Sequence, residues 1–271
     1  MIARRTLLAT GLALAAPPAW AIDPGVSSGR YQRDDELVTF SHAVALSLDN
    51  VEDPSPRRQE VRVLLSDRET PVSAIIGLAF PPVWRMAGAG TLRGLLLTFD
   101  PTDQTGLNVV VLSKRDDGYS PPSISISDTS GLWSSLDISA TRIVGELKDD
   151  VSETTKFRFN APVFTNEVVS DLTGAAAQNS ELVKLVLARA EALVRGDLAA
   201  VAALSMPGSA ANLTALPPEV LKMAKAEMPQ LTRRLKSVKR VVIRRESAAV
   251  MVGPGEWASL TLVNNAWKVA D

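Results

Sequence analysis

Near residue 170 the spacing of apolar residues changes period, and this change governs what the chain can fold into. From Val26 to about Thr165, short β-branched or apolar runs are separated by Pro, Gly, Asp and Asn. A period of two places alternate side chains on opposite faces, as in a strand. Candidate strands are Leu37–Leu48, Glu60–Ser66, Leu92–Phe99, Leu107–Leu112, Ser123–Ser127, Thr141–Leu147 and Lys156–Phe159. Asp53-Pro54, Asp100-Pro101, Asp117-Gly118 and Ser120-Pro121-Pro122 supply the turns between them. This run of short strands predicts an all-β sandwich over residues 26–168, two sheets covering each other's apolar faces. Ile124 and Ile126, set between serines, are expected to face its core.

Residues 169–179 have the small, polar character of a linker, and helical spacing begins after them. Ser180 suits an N-cap, Leu182, Val186, Ala190 and Leu193 recur on one face, and Gly196 suits the left-handed position past the end. Asp197 caps a second short helix stopped at Pro207, and a third runs from Pro218 toward Met228, with Pro229 kinking or ending it. Strands follow at Val238–Arg245, Ala248–Val252, Ala258–Val263 and Ala266–Ala270, the last pair joined by a tight Asn264-Asn265 turn. Helices followed by an antiparallel meander predict a small α+β domain over residues 180–271, its helices packed on a curved sheet. The expected fold class is therefore two domains, sandwich then α+β.

The run Ala190 to Asp197, with its Arg-Gly-Asp ending, precedes Ala248-Ala249-Val250-Met251-Val252 and the closing Val263-Asn264-Asn265-Ala266-Trp267-Lys268-Val269. These residues resemble the nuclear-transport-factor-2-like superfamily, whose bacterial members end a first helix in Gly-Asp and close on a Trp-Lys-Val strand. The resemblance implies a curved sheet wrapped by helices, often around an apolar cavity. That superfamily includes enzymes, ligand binders and dimerisation modules, so the fold selects no activity. More faintly, Thr141 to Leu147 and Lys156 to Phe164 resemble the closing strands of uncharacterised secreted bacterial β-domains.

Residues 1–21 read as a cleaved export signal. Arg4 and Arg5 precede the apolar run Leu7 to Ala16, and Ala19-Trp20-Ala21 ends in small residues at the third and first positions before the cut. The apolar run is shorter than the roughly 20 residues a membrane span needs. Arg4-Arg5-Thr6-Leu7-Leu8 also resembles a twin-arginine signal, with an ordinary secretory signal as the alternative. Both readings send a bacterial protein to the periplasm or beyond, with no membrane span in the mature chain.

The absence of cysteine removes disulfides, thiolate metal sites and thiol nucleophiles. A net charge of −1 gives no bulk attraction for nucleic acid, and no cofactor motif is present. A hydrolase triad would have to use the sole histidine, His42, which lies in an alternating strand with no Gly-x-Ser-x-Gly elbow elsewhere. One imidazole without cysteine makes a poor zinc site, so no metal ligand is assigned. The acidic loops Asp49 to Asp53 and Asp100 to Asp103 offer hard oxygens without calcium-loop spacing, and turn chemistry accounts for them.

The clearest charge feature is basic: Arg233, Arg234, Lys236, Lys239, Arg240, Arg244 and Arg245. Strand alternation puts Arg240 and Arg244 on the face of Val242, and Lys239 and Arg245 on the other. Arg240, Arg244 and Trp257 are the expected ligand-binding residues, for a small anionic ligand or an acidic protein partner, the β-domain itself being one candidate. Solvated strand ends are the plainer account. The sequence favours a non-enzymatic binding protein. The alternatives are an enzyme using a C-terminal cavity through Glu227, Glu246 or Arg240, and an assembly module.

Overall fold

The computed structural model describes residues 22–33, 36–50, 58–76, 82–101, 107–114, 123–126, 131–148, 154–207 and 218–270. The export signal lies outside them. Nine strands form the first sheet: β1 (Val26–Arg33), β2 (Glu36–Asn50), β3 (Arg58–Ser66), β4 (Gly94–Phe99), β5 (Leu107–Leu112), β6 (Ser123–Ile126), β7 (Trp133–Ile138), β8 (Arg142–Leu147) and β9 (Thr155–Asn166). Their order is β6-β5-β4-β3-β2-β1-β9-β8-β7. The two facing sheets expected for a sandwich are thus replaced by one continuous sheet. The side chains of Ile124 and Ile126 lie outside the described residues.

The long strands β2 and β9 explain the single sheet. Strand β1 pairs antiparallel with the first half of each, from Val26 opposite His42 and Asn160. Where β1 begins, Gly25 N–H donates to the Asn160 carbonyl, and the Gly25 carbonyl accepts from Ala43 N–H, each at 2.8 Å. Beyond that wedge β2 and β9 meet directly, in parallel, from Ala45 opposite Val163 to Leu48 opposite Asn166. Glycine is required at position 29, in the β1 bulge. Its φ is +147°, and a Cβ there would sit 2.1 Å from the Lys156 carbonyl oxygen.

The sheet curls so that one face covers itself. Leu107 and Val111 of β5 share a core with Ile143 and Leu147 of β8, across the width of the sheet. Trp133 meets Phe157 and Phe159 edge-on, with centroids 6.0 and 6.4 Å apart. Alternation sends Leu46, Leu64, Leu96, Val110 and Leu112 to the opposite face. There they pack under a 3-10 turn (Val72–Ile75) and helix α1 (Pro82–Gly88). Pro81 to Trp84 reads in sequence as an exposed loop, with Trp84 either contacting a partner or buried. In the structure Pro82 instead takes the first helical position, which needs no N–H donor, and Trp84 packs against this second core.

A second, five-stranded sheet has the order β10-β11-β12-β13-β14. Its strands are β10 (Val168–Thr173), β11 (Arg240–Arg244), β12 (Ser247–Gly253), β13 (Glu256–Val263) and β14 (Ala266–Val269). Residues 169–179, read as a linker, instead supply most of β10 and then helix α2 (Gly174–Gln178). Only Glu167 separates β9 from β10.

Helix α3 (Glu181–Arg195) starts on the Ser180 hydroxyl, which accepts from Val183 N–H at 3.3 Å, and ends on left-handed Gly196 at φ 76°. Asp197 caps α4 (Leu198–Leu204) through Ala200 N–H. Helix α5 (Pro218–Leu235) passes through Pro229, so that proline does not end it. Leu182, Val186 and Ala190 of α3 and Leu235 of α5 pack on Val241, Ala248, Val250 and Leu260 of the sheet. Asn264 and Asn265 both adopt positive φ, 50° and 62°, in the β13–β14 turn.

Candidate functional site

The helices cover one face of the second sheet, and the other carries its polar side chains. Register places Arg240 beside Met251 and Trp257, and Val242 beside Ala249 and Ser259. The Arg240 guanidinium binds both oxygens of Asp171, at 3.0 and 2.8 Å, and lies 5.9 Å from the Trp257 ring centroid. Such a fork on a carboxylate and a ring satisfies much of the cation's chemistry. Trp257 Nε1 is enclosed without a hydrogen-bond partner among the described residues.

Arg244 does not join that pair. It is 2% exposed and its Nη2 donates at 2.6 Å to the Asp49 carbonyl of β2, so it ties the second sheet to the first. Arg245 pairs with Glu167 at 2.5 Å, and Arg234 pairs with Glu256. The basic window is therefore largely engaged inside the molecule. Alternation predicted its division between two faces; only the fold reveals its carboxylate and carbonyl partners.

His42 sits where β2 changes phase: Val38 and Phe40 face the curled core, and then Ala43 and Ala45 do. Its Nδ1 lies 2.8 Å from the hydroxyl of its neighbour Ser41, which also donates to the Asp67 carbonyl at 3.2 Å. A triad needs a carboxylate to orient the ring and a nucleophile presented to substrate; a backbone carbonyl supplies neither. Nearby, Asp67 accepts from Arg93 N–H at 3.0 Å and from two Arg68 nitrogens. Burial pushes its carboxyl up, but the Arg68 and Arg93 hydrogen bonds outweigh it and hold the group below its ordinary value. Among the described residues no three His, Asp or Glu side chains gather as a metal site.

A concavity of about 690 Å³ lies between the two sheets. One wall comes from the 3-10 turn and α1: Pro71, Ala74, Pro82, Met86 and Ala89, with Arg85. Val83 and Ala87 are buried behind it, which turns the rest of the short helix toward the cleft. Arg62, 6% exposed, fixes this wall from beneath, donating to the Ile75 carbonyl at 2.9 Å while Nε meets Glu60 at 2.5 Å.

The facing wall is Met206, Pro207, Thr261, Leu262 and Val263, with Glu246. Met206 N–H donates to the Val269 carbonyl at 2.9 Å, which seats the chain after α4 beside β14. Glu246 is held from both sides. Its N–H donates to Asn166 Oδ1 and its carbonyl accepts from Leu262 N–H, each at 3.0 Å. Sequence reading picked out Glu246 as a polar candidate but missed the opposite wall, because Arg85 lies in a segment without strand or long-helix periodicity. Glu227, named beside it, is exposed on α5 and does not line the cleft.

Among the described residues no helix is long and apolar enough to cross a membrane. Comparison of the chain with protein-family models, with curated proteins and with solved structures finds no match in any of the three.

Proposed function

We propose that this is an exported bacterial protein that binds a ligand in the cleft between its two sheets and does no chemistry on it. The reading treats the sheets as two domains, the second a nuclear-transport-factor-2-like module used as a scaffold. The observation that carries it is the cleft itself: mainly apolar walls from both sheets, within the volume range of small-molecule sites, with a few polar groups for orientation. Support for a binding role rather than catalysis comes from His42, whose ring partner is an adjacent serine and not a carboxylate.

The test uses methionine-methyl NMR of the full chain, since Met86 and Met206 line opposite walls while Met223 and Met251 lie elsewhere. Amphipathic probes (a medium-chain fatty acid, a hydrophobic amine and an apolar peptide) are added in turn. The expected result is saturable movement of the Met86 and Met206 signals together, with Met223 still and every probe recovered unchanged. Chemical conversion of a probe, or shifts confined to Met251, would refute the reading.

A further inference from the structure

In and beside the second sheet, the carboxylates of Glu167, Asp171 and Glu256 are each held by an arginine: Arg245, Arg240 and Arg234 in turn. Glu246, at the β11–β12 turn, differs. It lines the cleft half-buried, and among the described residues its carboxylate meets no hydrogen-bond donor and no cation. We infer that the cleft selects a small primary amine with an aliphatic body, its ammonium on Glu246 and its carbon chain between the two walls. This rests on the cleft being the binding site.

The sign of the ligand's charge follows from which groups are already taken. Arg245, next in the chain, is committed to Glu167, and Arg244 to the Asp49 carbonyl of the first sheet. Arg85, on the facing wall, also has interactions within the molecule, so it offers a ligand no free charge. A cation therefore gains on Glu246. An apolar ligand would strip water from that carboxylate and return no partner, and an anion would set a like charge beside it. A metal ion needs more ligands than one carboxylate, and among the described residues no three His, Asp or Glu side chains gather to supply them. Quaternary ammonium groups are held by aromatic cages, and no aromatic ring among the described residues lines the cleft, which favours an ammonium that donates hydrogen bonds. Pro71, Met86, Met206 and Leu262 receive its carbon chain. The backbone hydrogen bonds of Glu246 to Asn166 and Leu262, each at 3.0 Å, set where its carboxylate starts and leave little ordering for binding to cost.

The probes share one straight aliphatic chain and differ in head group: octylammonium, octyltrimethylammonium, octanol and octanoate, read at neutral pH by the Met86 and Met206 methyl signals of the full chain. Octylammonium is expected to bind about five- to tenfold tighter than octanol, between the worth of an exposed ion pair and that of a hydrogen bond to a charged group. Octyltrimethylammonium should bind more weakly than octylammonium, and octanoate most weakly. In Glu246→Gln the advantage of octylammonium over octanol should vanish. That comparison stays readable if the variant is less stable, because it sets two ligands against each other on one protein. Any other head group equalling octylammonium in the parent, or an advantage that survives Glu246→Gln, would overturn the inference while leaving the cleft as the site. If no probe moves Met86 and Met206, the inference and the cleft reading fail together.

Discussion

Asn166 Nδ2 donates to Ser247 Oγ at 2.8 Å, across the point where the first sheet ends and the second begins. The other end of the same amide accepts Glu246 N–H, and the side chain is 1% exposed. One asparagine thus joins β9 to the β11–β12 turn with both donor and acceptor used. Arg244 makes a second tie, to β2.

Asn166→Ala leaves the Glu246 N–H and the Ser247 hydroxyl, both on half-buried residues, without these partners. Each loss of this kind costs about 1–3 kcal/mol. We expect denaturant unfolding to report a loss of about 2–4 kcal/mol, with Ser247→Ala costing about 1 kcal/mol. Equal, negligible losses in both variants would show that the amide is not the fastening.

Removing Arg62 leaves Glu60 without this partner and unties the Ile75 carbonyl. Breaking a buried pair from one side costs about 3–5 kcal/mol, so Arg62→Met should fall near the lower end, with Glu60 still 19% exposed. Exchange of the Ile75 and Ile76 amides with deuterium should quicken more than that of β8. Uniform quickening would mean that Arg62 does not act on the cleft wall in particular.

The Asp67 carboxyl releases its proton below its ordinary value of 3.8 in the folded protein. The unfolded chain then holds more protons in that window, so stability falls as pH falls. The contribution is complete above the ordinary value and disappears as pH drops through the folded one. Asp67→Asn should flatten the stability profile below about pH 4 and leave its shape near neutrality unchanged. An unaltered acid limb would contradict this.

His42→Ala should leave the ligand-induced Met86 and Met206 shifts intact and cost about 1 kcal/mol or less, since Ser27 bonds its backbone carbonyl and not the ring. Loss of ligand binding or of any biological activity, with the thermal midpoint preserved, would restore a functional role for the ring.

Elements with a strong local cause were legible in the sequence. The Ser180 and Gly196 ends of α3 and the paired asparagines of the last hairpin carry their signals in one or two residues. Strands β3, β4 and β5 show too, because they are buried on both faces and rich in Leu and Val. Strand β10 was lost because its side chains alternate between half-buried and exposed beside a small-residue run. The single sheet was not legible, because pairing of β2 with β9 joins residues over a hundred positions apart and leaves no local mark. The cleft was legible only at Glu246. Its opposite wall depends on how Arg62 holds the Ile75 turn, a tertiary relationship.

The lone residue Glu167 between β9 and β10 has a mechanical consequence. A spacer that short, beside the Asn166 fastening, leaves the sheets no swivel, so they should tumble in solution with a single rotational correlation time. A ligand entering between them would meet a caliper already set to width, and capture would proceed by side-chain adjustment without jaw closure.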